Sequence, residues 1–139
     1  MTINPPINHV TQDHAETLQI EWIVSNVCNY SCSYCISDLH DGSSRWPNVD
    51  DALEFFWEIE KLHKNRPKHL VMTGGEPTMW PQLIEFTDRL PESYILDIST
   101  NGSRTLRFWR DFSEKSKFQK VNISAHLADC DIEHLIESL

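Results

Sequence analysis

The feature that most limits what this chain can become is a single eight-residue stretch, Cys28-Asn29-Tyr30-Ser31-Cys32-Ser33-Tyr34-Cys35. Three of the chain's 4 cysteines fall there, spaced C-x3-C-x2-C. Thiolates are soft ligands that suit iron–sulfur clusters, zinc or copper(I). A closed zinc site and a cubane cluster held by protein alone both require four ligands, and this loop supplies three. The remaining thiol, Cys130, lies far along the chain between Asp129 and Asp131. It reads as an incidental thiol near a helix start; as a fourth ligand it would close the site. Three ligands on one short loop imply a cluster with one iron left open. A structural zinc site, or three small apolar side chains, is the plainer alternative.

Composition narrows the setting. At 139 residues, with 40% hydrophobic and 24% charged side chains, the chain is long enough for one domain with a buried core. Its 21 acidic against 12 basic residues give a net charge of -9. That balance opposes unassisted binding to a nucleic-acid backbone or an anionic membrane, and leaves a small-molecule or peptidic substrate as the expectation. No stretch is long and apolar enough for a transmembrane helix. The opening residues, with Pro5 and Pro6, lack the basic-then-apolar pattern of a signal peptide. A cytoplasmic protein with reduced thiols is therefore expected, and clustered cysteines in that compartment read as metal ligands rather than disulfides.

Periodicity lays out the chain. Residues 1–17 read as a lead-in and 18–139 as the core domain. Leu18, Ile20, Trp22 and Val24 alternate with Gln19, Glu21 and Ile23, which predicts a first strand running into the cysteine loop. Turn-forming residues fill 36–49. Asp50 is the expected N-cap of a helix whose apolar face is Ala52, Phe55, Phe56, Ile59 and Leu62, closed by Pro67. His69–Met72 predicts strand two, leading into Thr73 and a double glycine. Pro81 suits the first turn of helix two, which carries Leu83, Ile84, Thr87 and Leu90 and ends at Pro91. Tyr94–Ser99 predicts strand three. Leu106, Trp109 and Phe112 mark helix three, and Val121 and Ile123 mark strand four. Ile132, Leu135, Ile136 and Leu139 mark a fourth helix.

Four strand–helix units in succession imply a parallel sheet with crossover helices. In such folds ligands gather at the carboxyl ends of the strands. Each chemistry-bearing stretch lies just after a predicted strand, so these loops are expected to converge on one site.

The cysteine spacing, with Tyr34 just before the last thiol, resembles the cluster loop of the radical S-adenosylmethionine (radical SAM) enzymes. Two further stretches match that family in order, Gly74-Gly75-Glu76-Pro77 and Thr100-Asn101-Gly102. The resemblance implies an α/β fold, a parallel-sheet partial (βα) barrel of the radical SAM type with about four βα units present. It implies that Cys28, Cys32 and Cys35 hold a 4Fe–4S cluster whose open iron is chelated by SAM. The glycine-rich stretch would contact the methionyl amine, with glycines that let backbone approach a ligand and with Glu76 presenting a carboxylate to an ammonium. Ser99 and Asn101 would line the SAM pocket. Ser124 and His126 would lie near its ribose or carboxylate, and Tyr34 near the cluster and adenine. Bland readings stand beside these: a tight turn with a solvated Glu76, an Asn-Gly turn, a solvated His126, and core packing for Tyr34.

The activity so implied is reductive cleavage of SAM to a 5′-deoxyadenosyl radical, which abstracts hydrogen from an unknown substrate. It needs a low-potential electron donor of flavodoxin or ferredoxin type. A family core usually has six units, and the last helix here is still periodic at Leu139 with no capping glycine. The core is thus expected to be incomplete at its C-terminus, with a second chain as a means of completing the barrel. The competing expectations are a non-enzymatic iron–sulfur or zinc-binding module, or a catalytically incomplete fragment. His40 and Asp41 read as a surface loop, and Trp46, Trp57, Trp80 and Trp109 as packing residues.

Overall fold

The computed structural model describes residues 16–138. Most of the expected lead-in, and Leu139 of the expected last helix, lie outside them. The strands are β1 (Leu18–Ile23), β2 (Lys68–Thr73), β3 (Tyr94–Thr100) and β4 (Lys120–Ile123). The helices are α1 (Val49–Leu62), α2 (Leu83–Arg89), α3 (Leu106–Lys115) and α4 (Ile132–Ser138). All four strands are parallel and lie in one sheet in their sequence order. This is the α/β arrangement that periodicity predicts.

Alternation within each strand decides which face is dry. In register, Ile20, Leu70 and Leu96 form one row and Trp22, Met72 and Ile98 the next, all pointing to the helix side. Leu70, Met72 and Ile98 are wholly buried there with Phe56 and Phe86. The Trp22 ring meets Phe56 at 5.1 Å, Phe86 at 5.2 Å and, edge-on, Trp80 at 5.8 Å. Each such pair adds about 0.5–1.5 kcal/mol beyond its area burial. The opposite face carries Gln19, Glu21, His69, Asp97 and Ser99. His69 bridges two strands there, with Nδ1 2.8 Å from Gln19 Oε1 and Nε2 2.9 Å from Asp97 Oδ2.

The elements differ from expectation in places that have physical causes. Helix α1 is capped by Asn48 rather than Asp50: the Asn48 side chain accepts from the Asp50 and Asp51 amides. Starting at Val49 turns Val49, Ala52, Leu53 and Phe56 onto the core, the i, i+3, i+4, i+7 stripe of a helix. Phe55 and Leu62, expected on that face, are exposed at 60% and 77%. Helix α2 begins at Leu83, after a turn closed by the Leu83 amide on Trp80 O, so Pro81 precedes the helix. Leu83, Phe86 and Thr87 are its buried residues. β2 and β3 each run on to a threonine, Thr73 and Thr100. On β4 and α4 burial is thin: Val121, Ile132 and Ile136 are exposed, and Leu135 is the helix's buried residue.

Lys68, at the start of β2, is completely buried. Its ammonium lies 2.7 Å from Glu60 and donates to the His63 and Arg66 carbonyls just beyond α1. A cation there meets carbonyls at a helix C-terminus and fixes the end of the sheet opposite the cavity loops.

Candidate functional site

The carboxyl ends of all four strands open onto one cavity of about 540 Å³. Its wall includes Cys28, Cys32 and Cys35, Gly74 and Gly75, and Ser99, Asn101, Ser124 and His126, so almost every residue predicted for the site is brought together. Tyr34 lines it as well. Cys130 is not part of the lining; it sits in the turn before α4, its amide on the His126 carbonyl.

The cysteine loop starts where β1 passes into a buried run, Val24-Ser25-Asn26. Asn26 organises the segment beyond that loop. Its side-chain amide donates to the Asp38 carbonyl, to Asp41 Oδ1 and to Ser43 Oγ, and its Oδ1 accepts from the Ser44 amide. These bonds fold residues 37–44 back over the strand end and set Ile36, Leu39 and His40 on the cavity wall. His40, expected on a surface loop, thus faces the site. The Ser43 amide and hydroxyl, with Asn26, hold the Asp41 carboxyl below its ordinary range.

The three thiols are unpaired, with Cys32 buried and Cys28 and Cys35 half-buried. Burial pushes the Cys28 thiol up, opposed by the Tyr30 amide and reinforced by Glu76 and Cys35. Burial also raises Cys32, eased by the Tyr34 hydroxyl and increased by the adjacent Asp129 carboxylate. Left to the protein's own charges, these two sulfurs keep their protons. A bound metal centre would supply the positive charge that makes them thiolates. Among the described residues, no three His, Cys, Asp or Glu side chains converge on a single-ion site. Three thiol donors line one cavity wall, and soft sulfur donors suit an iron–sulfur cluster.

The glycine loop lies directly beneath the cysteine segment. Gly74 and Gly75 adopt φ of +86° and +45°, which side chains rarely tolerate. A Cβ on Gly75 would stand 2.2 Å from the Val27 carbonyl oxygen, and one on Gly74 2.8 Å from that of Ser25. Glycine is needed here for close approach to the chain's own backbone, and both glycines also lie on the cavity wall, where approach to a ligand was expected. The Glu76 amide then donates to the Val27 carbonyl at 2.8 Å.

Glu76 itself departs most from expectation. Its carboxylate is wholly buried and is not on the cavity wall. Oε1 accepts from the Thr78 amide and hydroxyl and from Thr100 Oγ1; Oε2 accepts from the Asn101 amide at 2.6 Å. Three donors meet Oε1 and one meets Oε2, so the buried carboxylate ties the β2 and β3 loops together beneath the cavity wall.

At the far wall the His126 ring stacks on Tyr34, centroids 5.7 Å apart and planes 13° from parallel, and Tyr34 Oη is hydrogen-bonded to His126 Nδ1. Tyr30 meets the same imidazole edge-on. Partial desolvation, then the Cys32 sulfur and Asp129, push the Tyr34 phenol up to about 12. Glu21, Asn26, Tyr30, Thr73 and Thr100 are also on the wall; sequence reasoning gave them no site role, although Thr100 opens the Thr100-Asn101-Gly102 stretch. Thr73 and Thr100 could have been found as the last residues of strands that carry ligand loops; Asn26 had no local signal.

Known proteins resemble this chain in the same terms. The family model of the radical SAM superfamily matches residues 22–137. An S-adenosylmethionine-dependent nucleotide dehydratase of Fibrobacter is 26% identical over 63% of this chain and 28% of its own length. A probable GTP 3′,8-cyclase of Thermococcus kodakarensis is 30% identical over 71% of this chain and 32% of its own. A putative glycyl-radical enzyme activating enzyme of Methanocaldococcus jannaschii is 29% identical over 73% and 37%. The chain thus spans about a third of the length of these curated relatives. Among solved structures, that of BtrN in complex with AdoMet and 2-DOIA superposes with a TM-score of 0.56 at 24% identity, covering 80% of this chain and 46% of BtrN. That likeness is one of fold.

Proposed function

The chain belongs to the radical SAM superfamily, and on that footing we propose that it carries a 4Fe–4S cluster on Cys28, Cys32 and Cys35 and cleaves S-adenosylmethionine reductively. The observation that carries this reading is the meeting of three free thiols, the Gly74–Gly75 loop and the ends of β3 and β4 on one cavity wall. When bound, the cluster supplies one electron to the SAM sulfonium, which releases methionine and a 5′-deoxyadenosyl radical that takes hydrogen from substrate.

The chain's own residues bind and orient. The Thr73–Gly75 backbone offers polar groups to the methionyl ammonium, and Ser99 and Ser124 offer hydroxyls to the carboxylate and ribose. Tyr34 and His126 give an aromatic wall for adenine. Ile23, Ile36 and Leu39 line the same cavity and keep water from the reacting carbon. Glu76 serves SAM indirectly, by holding the glycine loop. A flavodoxin- or ferredoxin-type donor would deliver the electron, and the reducing cytoplasm is the setting such a cluster needs. Among the described residues, no helix is long and apolar enough to cross a membrane. β4 ends the sheet with one unpaired edge, which further barrel strands or a second chain would cover. The substrate is a small molecule or peptide.

The test is anaerobic reconstitution with iron and sulfide, then EPR of the reduced protein with and without SAM, with 5′-deoxyadenosine assayed in the same sample. A cluster signal that shifts on adding SAM, with 5′-deoxyadenosine formed, is the expected result. Zinc in place of a cluster, or a cluster indifferent to SAM, would overturn the reading.

A further inference from the structure

Asn101 is buried at the end of β3, and its main-chain amide and both polar atoms of its side chain have partners. Its amide N donates to Glu76 Oε2 at 2.6 Å, and its Oδ1 accepts from the Ser103 amide at 2.9 Å. These two bonds fix the backbone and the amide plane, so Nδ2 is aimed at the cysteine loop. A carboxamide has two N–H protons. Here Nδ2 lies 3.0 Å from Asn29 Oδ1 and 4.0 Å from Cys28 Sγ. Both N–H groups of the side chain therefore face the cysteine loop.

Cys28 Sγ also receives the Tyr30 amide at 3.4 Å, so one sulfur of the three is met by two N–H groups. Cys32 is placed differently, beside the Tyr34 hydroxyl and the Asp129 carboxylate. The 4.0 Å separation is the long end of an N–H···S contact, and a thiolate is a stronger acceptor than the thiol. Asparagine suits the position: an aspartate would set a charge against the sulfur, and an alanine would leave the Ser103 amide unpaired.

We propose that Asn101 is a positioning residue for Cys28, its amide plane fixed by Glu76 and Ser103 so that Nδ2 donates to the sulfur and favours the reduced state of the cluster that sulfur ligates. Hydrogen bonds to ligand sulfurs withdraw electron density and raise the potential. The proposal deepens the preceding reading and rests on Cys28 being a cluster ligand. It adds a contact with the metal ligand to the place of Asn101 on the cavity wall, and it joins the glycine loop to the cluster loop through Glu76.

The experiment compares wild type with Asn101→Ala, Asn101→Asp and Asn29→Ala after anaerobic reconstitution. The midpoint potential is read by titration, and the reduced cluster by EPR, both without SAM so that no contact with it contributes. Asn101→Ala and Asn101→Asp should shift the midpoint to more negative values and alter the g-values. Asp keeps the Ser103 acceptor and the side-chain shape, and so serves where Ala fails to fold. Asn29→Ala loosens the same two loops but keeps the donor, and should leave the midpoint at the wild-type value. Wild-type midpoints in both Asn101 variants would overturn the proposal while leaving the cluster assignment intact. An equal shift in Asn29→Ala would also overturn it, since loop tethering would then be the cause. Failure of the wild-type chain to take up a cluster would overturn both readings.

Discussion

Lys68 Nζ lies 2.7 Å from Glu60 Oε2, with the lysine side chain sealed from solvent and the glutamate side chain 19% exposed. The pair joins the end of α1 to the start of β2. The Lys68 contact first, and the Ser93 hydroxyl second, hold the Glu60 carboxyl below its ordinary range. Removing one partner of a buried pair strands the other, so Lys68→Met should cost about 3 kcal/mol, read from urea unfolding. A carboxyl whose folded pKa is depressed contributes stability that is present above its unfolded pKa and is lost as pH falls through the folded value. The wild-type urea midpoint should therefore drop below about pH 4.5 more steeply than that of Glu60→Gln. Parallel profiles would show that the pair does not act through this proton.

Cys32→Ala should abolish the cluster and leave the fold. The side chain is small, and the substitution should cost only about 1 kcal/mol. Iron content and visible absorption after reconstitution should fall to background while the far-ultraviolet circular dichroism stays at the wild-type value. Unchanged iron and absorption would remove Cys32 from the ligand set.

Gly75→Ala tests the close approach under the cysteine loop. A methyl group cannot sit 2.2 Å from the Val27 oxygen, and φ of +45° is itself unfavourable for alanine. We expect a loss of about 2 kcal/mol or more, together with poor cluster uptake. A variant as stable as wild type would mean the loop moves freely away from Val27.

Glu76→Gln replaces one of two acceptor oxygens with a donor, facing groups that already donate. The expected cost is about 2–3 kcal/mol in a buried site, with SAM affinity lowered through the displaced glycine loop and cluster uptake retained. SAM affinity at the wild-type value would show that the loop keeps its place without this carboxylate.

The sequence made the strands and the site's loops legible because both signals are local. Alternation at Leu18–Ile23 and short apolar runs at β2 and β3 need no knowledge of neighbours, and the residues of the cysteine, Gly-Gly-Glu and Thr-Asn-Gly stretches follow those strands directly. What stayed hidden depends on three-dimensional direction. Asn48 and Asp50 are equally able to cap a helix, and the path of the chain out of the Asn26 knot decides for Asn48. With Phe55 and Leu53 both apolar, only the start of the helix settles which faces the core. Glu76 was legible as a residue but not as a direction, since burial comes from Thr78, Thr100 and Asn101, the last two more than twenty residues away. Asn26 acts through partners 12 to 18 positions on.

Because each strand pairs only with the next one in sequence, the sheet can be laid down in the order of synthesis. The thiol loop leaves the ribosome early, and its wall from β2 and β3 comes after it. The clasp of His126 on Tyr34 is made last, after β4 has docked. The last strand thus reaches back across the cavity to the loop that follows the first, so the sheet's two ends are held to each other through side chains and not only through the ladder between them.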